Sequence, residues 1–163
     1  MDQLIPVVGT MALLGSALVG GIFFAFSSFI MKALTNVPSA EAIGAMQSIN
    51  VVVINPSFLG AFFGTALLSL VAGGLALADW GTPSAPFFLG GALFYLVGTI
   101  LVTVLGNLPL NDQLAALSAT DPAFSDAWEH YLGRWTMWNH VRTAAAMVAA
   151  LLFTLGLLQN VGT

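Results

Sequence analysis

The sequence contains no cysteine and very little charge. Without cysteine, disulfide bonds, thiolate nucleophiles and cysteine-ligated metal sites are excluded. Only 6% of the residues are charged, whereas an average soluble domain carries about 25%. So few charges cannot cover a water-facing surface, and three Lys and Arg residues in all make no nucleic-acid footprint. Both a soluble globular domain and a nucleic-acid-binding protein are therefore excluded.

The chain has long apolar stretches instead, and hydrophobic residues make up 58% of it. Uncharged runs occupy residues 3–31, 42–78 and 80–111, and no charge follows Arg142. About 20 apolar residues in a helix cross a bilayer core of about 30 Å, so each run has room for one span. The predicted fold class is all-α, an integral membrane four-helix bundle formed as a single domain by residues 1–163.

Proline, asparagine and turn residues between the apolar runs predict where each helix begins and ends. Predicted spans cover about residues 4–31, 56–78, 87–108 and 135–158, with interfacial helical segments over about 40–54 and 122–135. Ser39 is the expected N-cap of the first interfacial segment. The expected boundaries are Pro38, Asn55-Pro56, the turn over 79–86, Asn107 to Asn111, and the helix-start signal Thr120-Asp121-Pro122.

The three basic residues predict the orientation. With four spans, Lys32, Arg134 and Arg142 all fall at the same end of the bundle, and basic residues favour the cytoplasmic side. The chain is thus expected to be a multi-pass protein of the cell membrane, with this end in the cytoplasm and the lipid bilayer as its main partner. Glycine-rich faces on the first two spans permit a homo-oligomer.

Polar side chains concentrate at the end that holds the basic residues. They lie at helical spacing on the last helix, on span three and near the ends of the other helices: Trp128, Tyr131, Trp135, Trp138, Asn139 and Arg142; Thr99, Thr103, Asn107 and Asn111; Gln47 and Asn50; Ser27 and Ser28. A polar group at membrane depth needs a polar partner or a wet cavity. The pattern predicts a polar pocket that opens to the membrane–water interface.

Each group of residues also has a structural interpretation. The Trp and Tyr residues are typical of an interfacial aromatic belt, and the Thr and Ser residues of ordinary interhelical hydrogen bonds. Arg142, with no carboxylate in the predicted spans, either binds amides and carbonyls or meets an anionic ligand. His130 and His140 lie on different helix faces, which disfavours a shared metal site and favours a role for one of them as general base.

Four segments together resemble the anthrone oxygenase family: Gly21 to Ser27, Ala45 to Asn50, Asn107 to Asn111, and Trp135 to Thr143. The resemblance implies a small four-helix membrane protein. Fungal members of that family oxidise an anthrone to an anthraquinone with dioxygen in polyketide pathways, and no metal or flavin has been assigned to them. We therefore expect no cofactor and a lipophilic aromatic ligand.

The implied chemistry gives the candidate residues their roles. An anthrone has an acidic methylene group, and the electron-rich anion left by proton removal reacts with oxygen directly. This requires a base, an aromatic slot and donors for the oxyanion. The catalytic candidates are His140 as base and Arg142 as oxyanion partner. The substrate-binding candidates are Phe24, Ser27, Asn50, Asn107, Asn111, Trp135, Trp138 and Asn139, and Phe26 adds to the slot.

Two other functions remain to be weighed. The same pocket suits a non-catalytic protein that binds a lipid, a quinone or an anionic amphiphile. A transporter is disfavoured, because no predicted span holds a carboxylate and no repeat relates the two halves of the chain.

Overall fold

The computed structural model describes residues 4–118 and 124–161, and every regular element in these ranges is helical. The helices are α1 (Leu4–Leu34), α2 (Ser39–Val52), α3 (Pro56–Ala78), α4 (Ala85–Ala115) and α5 (Phe124–Val161). All but α2 are long and apolar enough to cross a membrane. The predicted class, an all-α membrane four-helix bundle, is confirmed, and the protein is a multi-pass membrane protein. The helix start expected at 120–122 lies outside the described residues.

The four long helices pack as a closed ring. Helix α1 runs along α3 and α5, and α4 packs against the same two helices. Small residues allow this close approach, as is usual where lipid offers no hydrophobic drive for association. A Cβ atom on Gly15 would overlap the Thr65 side chain, and one on Gly98 would overlap Ala145. These two contacts bring α1 against α3 and α4 against α5.

The short helix α2 begins one residue earlier than expected. Pro38, rather than Ser39, is its N-cap, and this helix start has no side-chain cap hydrogen bond. The Pro38 carbonyl accepts the backbone N–H groups of Glu41 and Ala42 at 2.9 and 3.0 Å. Helix α3 begins at the expected break, where the Asn55 side chain accepts the Phe58 N–H at 3.0 Å and Pro56 takes the first helical position.

Helix α4 does not end at residues 107–111, as the sequence pattern indicated, but continues to Ala115. Two stretches within it, Phe94–Leu101 and Thr103–Asn107, form wider π-helical turns. Pro109 follows directly, in the first turn of the next α-helical segment, where its missing N–H is tolerated. The helix therefore continues through Pro109 directly after the second widened turn.

The two ends of the bundle differ in their cores. In the packed half, Phe88, Tyr95 and Phe153 are buried among small residues of all four spans. In the cavity half, α2 covers the bundle, and Met46 is buried with Trp128 and Trp135. This second half contains the candidate site.

Candidate functional site

Arg142 lies inside the bundle, where only 6% of its surface is exposed. Its Nε and Nη2 groups donate to the Asn139 side-chain oxygen at 3.1 and 2.9 Å. Its Nη1 group donates to Thr103 Oγ1 on α4 at 3.2 Å. Because Asn139 lies one helical turn before Arg142 on α5, the guanidinium is held by its own helix and by α4.

Aromatic rings enclose the same guanidinium. The central carbon Cζ lies 4.1 Å from the centre of the Phe23 ring and 5.0 Å from that of Trp135, distances at which a cation is attracted to an aromatic face. No carboxylate of the described residues neutralises it. Three of the five guanidinium N–H groups have partners in the described part of the chain. Two donors thus remain on an unneutralised, buried cation.

A second layer of hydrogen bonds holds Asn139 in place. Its Nδ2 group donates to the Phe23 carbonyl at 2.8 Å and to Ser27 Oγ at 2.7 Å. Thr143 Oγ1 donates to the Asn139 carbonyl at 2.7 Å, so its lone pair accepts the Ser27 hydroxyl at 3.1 Å. We call Arg142, Thr103, Asn139, Ser27 and Thr143 the Arg142 network. It joins α1, α4 and α5 and fixes which way the guanidinium points.

Helix α4 carries a row of polar side chains, and the structure turns this row towards α5. Asn107 Nδ2 donates to the Trp135 carbonyl at 3.1 Å. Asn111 Oδ1 accepts the Tyr131 hydroxyl at 3.0 Å and the Trp135 indole N–H at 2.8 Å. With its oxygen doubly occupied, Asn111 has only amide N–H groups left to offer a ligand.

A cavity of about 280 Å³ adjoins this network, near the lower end of the usual range of about 300–1,000 Å³ for ligand pockets. Its walls come from all five helices and are mainly apolar. The polar side chains that line it are Asn50, Thr103, Asn111 and Arg142. Six aromatic rings also line it: Phe23, Phe26, Phe58, Phe62, Phe63 and Trp135. The cavity is therefore apolar and largely aromatic, with one cation and two amide side chains among its lining residues.

Comparison with known proteins identifies the family of the chain. The sequence profile of the anthrone oxygenase family matches residues 57–152, which is more than half of the chain. The chain belongs to the anthrone oxygenase family. No curated protein and no solved structure matches it. The matched region holds α3, α4 and most of α5, and so includes Thr103, Asn111, Trp135 and Arg142.

In this family member the structure brings four of the ten predicted site residues to the cavity: Asn50, Asn111, Trp135 and Arg142. Two more, Ser27 and Asn139, belong to the Arg142 network behind the wall and do not line it. Asn107 is fully buried against α5 and also does not line the cavity.

Three predicted residues need correction. Phe24 is 55% exposed and His140 is also exposed, and neither lines the cavity. Each directly follows a buried residue of the site, and one helical residue turns a side chain by about 100°, which points both away from the interior. Trp138 packs instead against Gly106 of α4, where an added Cβ would come within 2.8 Å of the indole. The expected base is therefore not beside Arg142.

The belt interpretation of the aromatic residues is also wrong for three of the four. Trp128, Tyr131 and Trp135 are only 3–4% exposed. They form a continuous stack, with ring centres 5.7 and 6.1 Å apart, and Phe26 lies against Trp135 at 5.6 Å. These rings form the wall between the cavity and the end of the bundle rather than a surface girdle.

The sequence pattern did not identify the aromatic ring that lies closest to the Arg142 guanidinium. Phe23 lies over the guanidinium and lines the cavity, but it is one phenylalanine among several in the first span. Thr103 was recognised as polar without a site role, yet it both lines the cavity and orients Arg142. Phe58 and Phe62 also line the cavity, with their rings stacked 5.7 Å apart. Their i, i+4 spacing places them on one helix face, so this pair could have been found from the sequence.

No metal site is evident in residues 4–118 and 124–161, where no three His, Asp or Glu side chains gather. Two buried oxygens at this end, Asn107 Oδ1 and Thr136 Oγ1, have no hydrogen-bond partner among the described residues. Neither belongs to a residue that lines the cavity. The groups available for chemistry are therefore the two Arg142 donors, the amides and the aromatic walls.

Proposed function

We propose that this protein is a membrane oxygenase that binds a lipophilic anthrone-like polycyclic phenol in the cavity and promotes its direct oxidation by dioxygen. The observation that carries the proposal is the buried Arg142 guanidinium, which has two unused N–H donors and no carboxylate partner among the described residues. Membership of the anthrone oxygenase family supports the reaction class. The polar end of the bundle, on this proposal, is cytoplasmic.

The reaction needs the anion of the substrate. Loss of a proton from the methylene carbon places negative charge on the carbonyl oxygen, and a donor pair preorganised in a dry site stabilises such an oxyanion far better than water does. The two free Arg142 N–H groups would take this oxygen, and the Asn111 amide would hold a second one. None of the described lining residues is His, Asp or Glu, so on this proposal the proton is released to solvent and not to a side chain of the cavity.

The remaining steps balance without a cofactor. Dioxygen accepts electrons from the carbanion carbon and forms a C–O bond, which gives a hydroperoxide after protonation. Loss of water from the hydroperoxide breaks the O–O bond and leaves the second carbonyl of the anthraquinone. One dioxygen is consumed and one water is released. The protein's contribution is to stabilise the anion and to hold the flat ring system between Phe23, Phe62 and Trp135.

A second candidate is binding without turnover of a lipid, a quinone or an anionic amphiphile. The observation that favours it is the lack of a side-chain base among the described lining residues. The same cation and amides would then simply hold the head of the ligand.

Oxygen uptake with emodin anthrone separates the two candidates. The purified protein in detergent is expected to exceed the spontaneous rate. The Arg142→Met variant, which keeps a long side chain, should lose about 10²–10³-fold of that enhancement, as when an oxyanion donor is removed. Arg142→Lys should recover only part of it, because the fork of donors is lost. Arg134→Ala, at an exposed position on the same helix, is the matched control.

Binding is followed in parallel through quenching of tryptophan fluorescence. Saturable binding without any gain in oxygen uptake would support the binding candidate. Equal uptake by the wild type and Arg142→Met would contradict the proposed role of the guanidinium.

A further inference from the structure

The most exposed residues that line the cavity are all apolar. Four lining residues have more than a third of their surface exposed: Ile54, Phe63, Val104 and Leu108, at 69%, 57%, 49% and 45%. We call these four residues the lateral portal. The polar lining residues Asn50, Thr103 and Asn111 are only partly exposed, and Arg142 is buried.

Unequal helix lengths create this opening. Helices α3 and α4 are in contact in the packed half, where a Cβ on Gly73 would lie 3.0 Å from Ala92. Nearer the cavity, a hydrogen bond joins these two helices: the Tyr95 hydroxyl donates to the Phe62 carbonyl at 3.1 Å. From there α3 has only one and a half turns left before its first residue, Pro56, whereas α4 continues to Ala115. The second half of α4 thus overhangs the end of α3.

The surface around the portal is of the kind that faces lipid. One turn further along α3, Leu67 is 63% exposed, and beside Val104 on α4, Leu105 is 69% exposed. Both helices are long and apolar enough to cross a membrane. An opening framed only by such side chains repels water and admits molecules that are already dissolved in the hydrocarbon.

From these observations we infer that the cavity is loaded sideways from the bilayer through the lateral portal, by a flat membrane-dissolved amphiphile whose single polar edge enters first. The apolar frame suits the flat body, and the guanidinium with its two free donors lies inside to receive the polar edge. The inference rests on the proposed function for the identity of the molecule, but the route follows from the geometry of the opening.

A thiol placed inside the cavity tests the route independently of turnover. The chain has no cysteine, so Met46→Cys introduces a single thiol at a position that lines the cavity and is 0% exposed. A reagent must therefore pass through the cavity to reach it. In liposomes, N-(1-pyrenyl)maleimide dissolved in the bilayer is expected to label this thiol. Ile100→Cys, at a half-buried lining position, serves if the first variant does not fold.

Bulky residues at the portal should slow that labelling. Adding Phe63→Trp and Val104→Trp to the thiol variant is expected to lower the rate about tenfold, which corresponds to a barrier higher by about 1.4 kcal/mol. The matched control is Leu67→Trp, an exposed position one turn along α3 that does not line the cavity. The control should label at the unmodified rate.

Three results would overturn the inference: equal rates in the portal and control variants, absence of labelling, or faster labelling by a charged methanethiosulfonate supplied in water. None of them depends on turnover, so each leaves the proposed function to the oxygen-uptake assay. Conversely, portal-dependent labelling without anthrone oxidation would support the lateral route and contradict the proposed function.

Discussion

The packed half and the cavity half of the bundle are built from the same four helices but hold together in different ways. In the packed half, glycine lets helices touch, as at Gly98 and Ala145, and Gly91 lies under the Phe153 ring, which an added Cβ would approach to 2.8 Å. In the cavity half, large rings and amides stand between the helices. Hydrogen bonds donated by Arg142, Asn139 and Trp135 span the gaps, the last of them to the Asn111 oxygen.

The difference teaches how a membrane bundle can stay closed and still contain a hole. Lipid tails contact apolar helix surfaces as well as another helix does, so helices pack tightly only where small residues let their backbones approach. Helices that approach so closely leave no space for a cavity between them. Around a cavity, large side chains must hold the helices apart and still bind them together. Hydrogen bonds from charged and amide groups provide this binding, because they are strong where water is excluded. The Arg142 network therefore both holds the cavity half together and equips it for binding.

The strongest test of this contrast is removal of Asn139. In Asn139→Ala, Arg142 loses two of its three hydrogen bonds, and the free energy of unfolding should fall by about 3–5 kcal/mol, as when a buried charge loses its partner. The measurement is SDS-induced unfolding in mixed micelles, followed by tryptophan fluorescence. Thr136→Ala, one turn earlier on α5, removes a hydroxyl that has no partner among the described residues and should cost almost nothing. Equal losses would refute the network.

The packed half can be broken by adding volume where helices touch. Gly98→Leu should lower the free energy of unfolding by about 3 kcal/mol, because the side chain forces α4 away from α5. Gly74→Leu is the control, since an added Cβ there meets nothing within 4 Å. Both are measured by the same SDS titration. A small effect at Gly98 would mean that the two halves are equally tolerant.

A milder change separates ring packing from hydrogen bonding in the cavity wall. Trp135→Phe keeps a ring against Phe26 but removes the indole N–H that donates to Asn111. A loss of about 1 kcal/mol in stability is expected for one hydrogen bond. The Asn111 oxygen then keeps only the Tyr131 hydroxyl as donor, which leaves one lone pair unpaired beside the ligand. On the proposed function, the KM for the anthrone should therefore rise more than kcat falls. An unchanged KM would show that Asn111 does not touch the substrate.

The smallest effect is expected from the equivalent change in the packed half. Tyr95→Phe removes one hydroxyl, which donates to the Phe62 carbonyl, and should cost about 0.6 kcal/mol, the average for such bonds inside membranes. Anthrone oxidation should be unaffected, because Tyr95 does not line the cavity. A loss comparable to that of Asn139→Ala would erase the distinction between the two halves.

Much of the architecture was predictable because it depends on composition. Uncharged runs determine which helices can cross a membrane, and Asn55 with Pro56 marks the start of α3 through local cap chemistry. The end of α4 was not predictable, since the helix continues through Pro109 directly after π-helical turns. The spacing of residues along the helix does not encode those turns.

The candidate site, too, was predictable in part from the sequence and in part only from the tertiary structure. Residue types and spacing show that Arg142 is a charge without a carboxylate in its span, and that α4 carries a row of polar side chains on one face. That this row meets α5 is seen only in the structure. Which side chains enclose the cavity is decided by tertiary structure, because neighbouring residues on a helix point about 100° apart. Phe23 thus covers the guanidinium while Phe24 faces outward, and Asn139 holds Arg142 while His140 is exposed.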